Sequence, residues 1–292
     1  MRFSGYYTAL LTPFRQGAVD ERAFQELVAW QIAEGMEGLV PCGTTGESPT
    51  LSHAEDKRVV EMTIEVAKGK AKVIAGTGSN STAEAIDLTQ HAQKAGADAA
   101  LIVCPYYNRP TQEGLYQHYK AIHDASDIPI LIYNIPFRTG VDMAVDTMKR
   151  LAELPRIVGC KDATNDLGRP LRTRLAIGPE FSILSGEDIT VVPVLAQGGD
   201  GCISVTANVA PRLCTELYRA WRAQDLPTVR RLNEKLAPLS DALFVETSPA
   251  PVKYAASLLG KCLPAVRGPL VEATPAAREK IEAAMRQVGL LN

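Results

Sequence analysis

The sequence has no excess of charge, no long hydrophobic run and no paired-cysteine motif, and each absence removes a class of function. Lys and Arg number 31 against 33 Asp and Glu, a net charge of -2, so no basic surplus exists to neutralise a phosphate backbone or hold an anionic membrane. Neither nucleic acid nor membrane is an expected partner. No apolar run approaches the roughly 20 residues that span a bilayer. The opening Met1-Arg2-Phe3-Ser4-Gly5-Tyr6 also lacks the apolar stretch and small-residue cleavage site of a secretory signal, so a cytoplasmic location is expected. The six cysteines, Cys42, Cys104, Cys160, Cys202, Cys214 and Cys262, form no C-x-x-C pair and have no histidine at zinc-like spacing. Four of them sit in short apolar runs, where a reduced thiol behaves as a small core hydrophobe. His53, His91, His118 and His123 fall on expected helices with no H-x-x-x-H pair, so no metal site is expected. Gly76-Thr77-Gly78 does not continue into G-x-G-x-x-G, and a dinucleotide fingerprint is therefore missing.

What remains is an average globular composition, 292 residues with 46% apolar and 22% charged side chains, a length that fits either two domains or one α/β barrel. Periodicity decides between them. Short apolar runs recur at Tyr6–Leu11, Gly38–Pro41, Val73–Ala75, Ala99–Val103, Ile130–Tyr133, Ile157–Cys160, Ser182–Leu184 and Cys202–Val205. Their near-continuous hydrophobicity suits parallel strands buried on both faces, and longer amphipathic stretches between them supply the crossovers. Asp20, Ser52 and Ser81 stand as helix caps, the last two within Ser-x-x-Glu capping boxes, and Gly35 stands where a helix ends. Eight strand–helix units predict a (β/α)8 TIM barrel over residues 1–224. Beyond it, Leu226 to Ala237, Pro249 to Leu259 and Pro275 to Val288 read as helices, after an eighth barrel helix from Pro211 to Ala223, giving a C-terminal helical extension over 225–292.

In such a barrel the reacting groups gather where strands end at their carboxyl side, and those positions are polar here. Lys161 follows the apolar Ile157-Val158-Gly159-Cys160. A lysine is rarely buried unless paired or functional, and a neutral amine attacks a carbonyl to form a Schiff base. Two readings stand, an imine-forming nucleophile and a structural lysine paired with a carboxylate. The adjacent Asp162 is a candidate partner, but alternation along a strand points it to the other face unless the chain has already turned into the loop. Tyr133 ends the neighbouring strand and reads either as a general acid and base or as a rim aromatic. Gly43-Thr44-Thr45-Gly46 offers backbone N–H groups and two hydroxyls as a carboxylate or phosphate cradle. Arg138 reads either as a bidentate carboxylate binder or as an ordinary surface ion-pair partner.

Four segments in order carry a family resemblance: Gly43-Thr44-Thr45-Gly46-Glu47-Ser48, Tyr133-Asn134-Ile135-Pro136-Phe137-Arg138-Thr139-Gly140, Gly159-Cys160-Lys161-Asp162 and Gly198-Gly199-Asp200-Gly201-Cys202-Ile203-Ser204-Val205. Together they resemble the 4-hydroxy-tetrahydrodipicolinate synthase (dihydrodipicolinate synthase) family, within the pyruvate-dependent Schiff-base aldolases of the N-acetylneuraminate lyase superfamily. The similarity spans essentially the whole chain. It implies condensation of pyruvate with L-aspartate 4-semialdehyde on the route to diaminopimelate and lysine, with no metal and no cofactor beyond the covalent pyruvate imine. By that resemblance Lys161 is the Schiff-base lysine, and Thr44, Tyr107 and Tyr133 form a proton relay in which Tyr107 reaches in from a second subunit. Thr45 binds the pyruvate carboxylate, Arg138 holds the carboxylate of the aldehyde, and the backbone carbonyl of Ile203 lies close to pyruvate. A homotetramer built from two tight dimers is implied.

The resemblance also implies lysine feedback, at Ser48, Pro49, His53, Asp56, Asn80, Glu84 and Tyr106. Pro49 stands where Ala is common and Asp56 where sensitive bacterial relatives often carry His. A further departure is Ser248-Pro249-Ala250-Pro251 in place of the usual Asn-Pro-Ile-Pro. The alternatives are a sibling lyase acting on N-acetylneuraminate or a 2-keto-3-deoxy sugar acid, and a non-catalytic sensor on the same barrel. Arg138 and Tyr107 fit the synthase better than a lyase for a polyhydroxylated chain. A sensor is expected to lose Lys161 or Tyr133, and both are present.

Overall fold

The computed structural model describes residues 2–292. Eight parallel strands were expected, and eight are found: β1 Gly5–Ala9, β2 Gly38–Val40, β3 Lys72–Gly76, β4 Ala99–Val103, β5 Ile130–Asn134, β6 Ile157–Asp162, β7 Ser182–Ser185 and β8 Gly201–Ser204. They hydrogen-bond in the cyclic order β1-β8-β7-β6-β5-β4-β3-β2 and close a barrel, with helices between successive strands. The strand sequences are almost wholly buried, as in Ile130–Asn134, where every residue is buried. That is the physical reason alternation is missing from them: both faces meet protein. The expected boundaries shift by one or two residues, chiefly because polar residues such as Asn134, Lys161, Asp162 and Ser185 extend the strands past their apolar runs.

Packing divides the chain into two compact units, residues up to Gly5 with Val73–Ile203, and Tyr6–Lys72 with Ser204–Asn292. In the first unit, Ile102, Ile130 and Ile132 of the strands pack with Tyr119, Ile122, Met148 and Leu151 of the helices. The Tyr119 hydroxyl donates to the Ile102 carbonyl at 2.7 Å, so the phenol's polar end is satisfied inside the core. Between β5 and β6 the register slips after Ile130↔Ile157, so that Leu131 faces Gly159 and Tyr133 faces Lys161. Without that bulge Tyr133 would have faced Cys160, and bulges commonly re-aim side chains beside functional sites. Gly159 is required at the slip, since a Cβ there would lie 2.6 Å from the Ser182 carbonyl oxygen.

In the second unit, helix Glu21–Ala33 is capped by the Asp20 side chain, and helix His53–Ala67 opens with the full Ser52/Glu55 capping box. Ser81 caps helix Thr82–Ala95 of the first unit, while the Glu84 carboxylate also takes the hydroxyl of Ser79. A two-residue antiparallel pair, Phe14–Arg15 with Ala18–Val19, was not foreseen. Its turn residues Gln16 and Gly17 both have positive φ, the geometry that matches strand twist in a two-residue hairpin. Helices Pro211–Arg222, Leu226–Ala242, Ala250–Leu258 and Pro275–Gln287 complete the chain. The second runs five residues past the expected end at Ala237 and contains Pro238. Leu232, Leu236, Leu239 and Ala242 carry one buried stripe through the proline, so burial outweighs the lost backbone hydrogen bond. All six cysteines are free thiols, five of them buried and Cys262 half-buried. No helix among the described residues is long and apolar enough to cross a membrane, and none of their His, Cys, Asp or Glu side chains cluster in a way that could hold a metal ion.

Candidate active site

Within the first unit, the one-residue slip between β5 and β6 brings Lys161 and Tyr133 together. The Lys161 ammonium lies 4.1 Å from the centroid of the Tyr133 ring, and both side chains are at most 6% exposed. Among the described residues no carboxylate forms an ion pair with Lys161. Asp162, the sequence-adjacent candidate, turns away and pairs instead with Arg169 at 3.3 Å, as strand alternation requires. Glu187, two residues past β7, has its carboxyl pushed up by burial and by the Asp188 charge, while the nearby positive charges of Lys161 and Arg138 oppose the rise. A Cβ on Gly186 would stand 3.1 Å from Lys161 Cε and 2.7 Å from Ala163 Cβ, so this backbone grazes the lysine stem.

Arg138 closes the one-turn helix Pro136–Thr139 and is exposed, beside Phe137 at 92% exposure. Ile203 lies in β8 and is fully buried. Tyr107 is 90% exposed with φ +70°, a left-handed conformation that is uncommon for a bulky residue and marks a constrained loop. Next to it, Tyr106 is half-buried; burial and the Glu84 carboxylate push its phenol up, and a backbone hydrogen bond from Asn80 opposes them. The Asn108 amide holds the same loop by donating to the Asn80 carbonyl at 2.9 Å. Asn80, Glu84 and Tyr106 of the expected lysine set are thus brought together.

Thr44 and Thr45 lie in the second unit, on the turn after β2. Gly46 N–H donates to the Gly43 carbonyl and Glu47 N–H to the Thr44 carbonyl, both at 3.1 Å. The turn consumes those two amides, and of the Gly43–Gly46 cradle this takes the Gly46 N–H. The amides of Thr44 and Thr45 have no acceptor among the described residues, although Thr45 is 4% exposed. Buried backbone donors are rarely left unpaired, and two successive free N–H groups suit a carboxylate. Ser48 is half-buried, Pro49 and His53 are exposed, and Asp56 is buried.

Sequence reasoning missed what stands behind these residues. Glu47 has φ +57° and forms an ion pair with the fully buried Lys253, about two hundred positions later in the chain. A buried Lys in the apolar helix Ala250–Leu258 was the available signal. The Asn134, Asp142, Arg169 and Asp162 network was missed for want of any motif that links its members.

Comparison with known proteins shows which family the chain resembles. The curated 4-hydroxy-tetrahydrodipicolinate synthase of Rhodospirillum centenum is 64% identical over 289 residues, 99% of each chain. The chloride-inhibited dihydrodipicolinate synthase of Acinetobacter baumannii in complex with pyruvate superposes with a TM-score of 0.96 at 45% identity, covering 99% of both chains. The enzyme of Cyanidioschyzon merolae with lysine bound superposes with a TM-score of 0.95 at 38% identity, again over 99% of both. Residues 2–288 match the dihydrodipicolinate synthetase family, and with a paired lysine and phenol at adjacent strand ends this chain belongs to that family.

Proposed function

We propose that this chain catalyses the 4-hydroxy-tetrahydrodipicolinate synthase reaction, condensing pyruvate with L-aspartate 4-semialdehyde through an imine on Lys161. The observation that carries the reading is the Lys161 ammonium 4.1 Å from the Tyr133 ring, buried and without an ion-paired carboxylate. A structural lysine would have one. The neutral amine adds to the pyruvate ketone and water leaves, giving the imine. The imine withdraws electrons, so the methyl loses a proton and becomes an enamine carbon, which adds to the aldehyde. Tyr133 protonates the resulting alkoxide. The amine of the second substrate then attacks the imine carbon, closes the ring and expels the Lys161 amine. No metal or organic cofactor enters these steps.

In this reading the free amides and hydroxyls around Thr44 and Thr45 receive the pyruvate carboxylate, the Ile203 carbonyl lies close to pyruvate, and Arg138 grips the carboxylate of the aldehyde. Thr44 and Tyr107 link Tyr133 to solvent. The exposure and left-handed backbone of Tyr107 support its insertion into a second subunit of a homotetramer, in the cytoplasm, with residues 225–292 as a helical extension of the barrel. Lysine feedback through Ser48, His53, Asp56, Asn80, Glu84 and Tyr106 is supported by the grouping of the last three. A lysine titration of initial rate tests it, and an unchanged rate at millimolar lysine rejects it.

The deciding experiment is reduction with borohydride in the presence of pyruvate, followed by peptide mass mapping. An adduct on Lys161, with turnover when semialdehyde is added to an unreduced sample, is the expected result. An adduct without that turnover assigns a sibling lyase; no adduct rejects the Schiff base.

A further inference from the structure

Alternation places a second pair of residues back to back with the reacting pair. Tyr133 faces Lys161 across β5 and β6, and the next register step places Asn134 opposite Asp162. Asn134 is fully buried and Asp162 nearly so. The Asn134 side-chain amide donates to Asp142 Oδ1 at 2.7 Å, and its carbonyl oxygen accepts the Met143 N–H at 3.1 Å. Asp162 accepts from the backbone and hydroxyl of Thr164 at 2.9 and 2.6 Å.

One guanidinium joins the two halves. Arg169, 8% exposed at its side chain, pairs with Asp162 Oδ2 at 3.3 Å, donates to Asp142 Oδ2 at 3.2 Å and donates to the Met143 carbonyl. The segment it grips at Asp142 and Met143 ends the loop that begins at Ile135 and carries Arg138.

Resting on the Schiff-base reading above, we propose that Arg169 is a positioning residue that sets the relative placement of Lys161, Tyr133 and Arg138. It touches none of the reacting atoms. It acts through the neighbours of two of them and through the loop of the third. A guanidinium does this better than an ammonium, because its two terminal nitrogens hydrogen-bond the loop at Asp142 and Met143 while Nε meets the Asp162 carboxylate of the strand as an ion pair. Placement on this scale matters, since a misplacement of about 1 Å at a reacting centre can slow a reaction roughly 100-fold.

The test uses Arg169→Lys, which keeps the charge beside Asp162 but cannot span both partners, and Arg169→Met/Asp162→Asn, which removes the bridge without leaving a buried charge unpaired. Thermal melting, the rate of borohydride trapping at saturating pyruvate, and the KM for semialdehyde are read for each. The double variant is expected to melt near the wild type. Both variants are expected to trap pyruvate roughly 10- to 100-fold more slowly and to show a raised KM. Trapping at the wild-type rate by either variant overturns the inference while leaving the Schiff base intact. Absence of trapping in the wild type overturns both.

Discussion

The Lys253 ammonium and the Glu47 carboxylate form an ion pair in which neither side chain is more than 1% exposed. Lys253 also donates to the Ala265 carbonyl at 2.9 Å and lies 4.0 Å from the centroid of the Phe14 ring. Glu47 accepts the Arg267 N–H at 2.9 Å through its other oxygen. Burial pushes the ammonium down from its ordinary range, and the Glu47 carboxylate pulls it back up. The turn that carries Thr44 and Thr45 is thereby anchored to a helix near the other end of the chain.

Removing one partner of such a pair strands the other as a buried charge, which typically costs about 3–5 kcal/mol, whereas replacing both is often close to neutral. Lys253→Met is therefore expected to lose stability on that scale in urea unfolding. Glu47→Gln/Lys253→Met is expected to recover most of it. Equal stability of the single and double variants would show that the pair carries no net charge coupling.

Gly186 sets a steric limit on Lys161, the proposed imine-forming lysine. Its missing Cβ would stand 2.7 Å from Ala163 Cβ, 3.1 Å from the Asp162 carbonyl oxygen and 3.1 Å from Lys161 Cε. Real side chains do not tolerate the first of these distances, so Gly186→Ala must displace the end of β6 with Ala163, the lysine stem or the loop that carries residue 186. Slower pyruvate trapping, by about 10-fold or more, is expected in a protein that remains folded. Trapping at the wild-type rate would mean that the loop yields instead.

Most of the barrel was legible because burial on both faces writes itself as apolar runs, and helix caps write themselves as Ser or Asp before an amphipathic stretch. Lys161 stood out for the converse reason, a cation at the end of such a run. The bulge that aligns Tyr133 with Lys161 leaves no local signature, since Val158 is as apolar as its neighbours. Arg169 and Lys253 were opaque because their partners lie far along the chain, in Asp142 and Glu47. The end of helix Leu226–Ala242 was misplaced because Pro238 carries a strong stop signal locally, and only tertiary burial of Leu239 and Ala242 overrides it.

On the proposed reading, Arg138 serves the aldehyde and not pyruvate. It is exposed, and a hydrogen bond to a charged group is worth roughly 1.5–3 kcal/mol, which corresponds to a change of about 10- to 150-fold in binding. Arg138→Ala is expected to raise the KM for semialdehyde within that range and to leave pyruvate trapping at Lys161 unchanged. Steady-state kinetics with each substrate varied in turn makes the comparison. An equal effect on both substrates would reassign Arg138 from the second carboxylate to the general field of the site.

His118 gives the fold an acid sensitivity. Its ring nitrogen Nδ1 and the Thr82 hydroxyl lie 2.9 Å apart, and burial lowers its pKa from 6.5 to about 4. Between those values the unfolded chain binds a proton that the folded chain does not. Stability therefore falls as pH drops from about 6.5 towards 4, with a slope approaching 1.4 kcal/mol per pH unit and a total of up to about 3 kcal/mol. His118→Asn keeps a polar group facing Thr82 but cannot titrate. Urea midpoints measured from pH 7 to pH 4 are expected to fall more steeply in the wild type than in this variant. Parallel curves would show that His118 titrates alike in the folded and unfolded chains, and that the acid sensitivity originates in other groups.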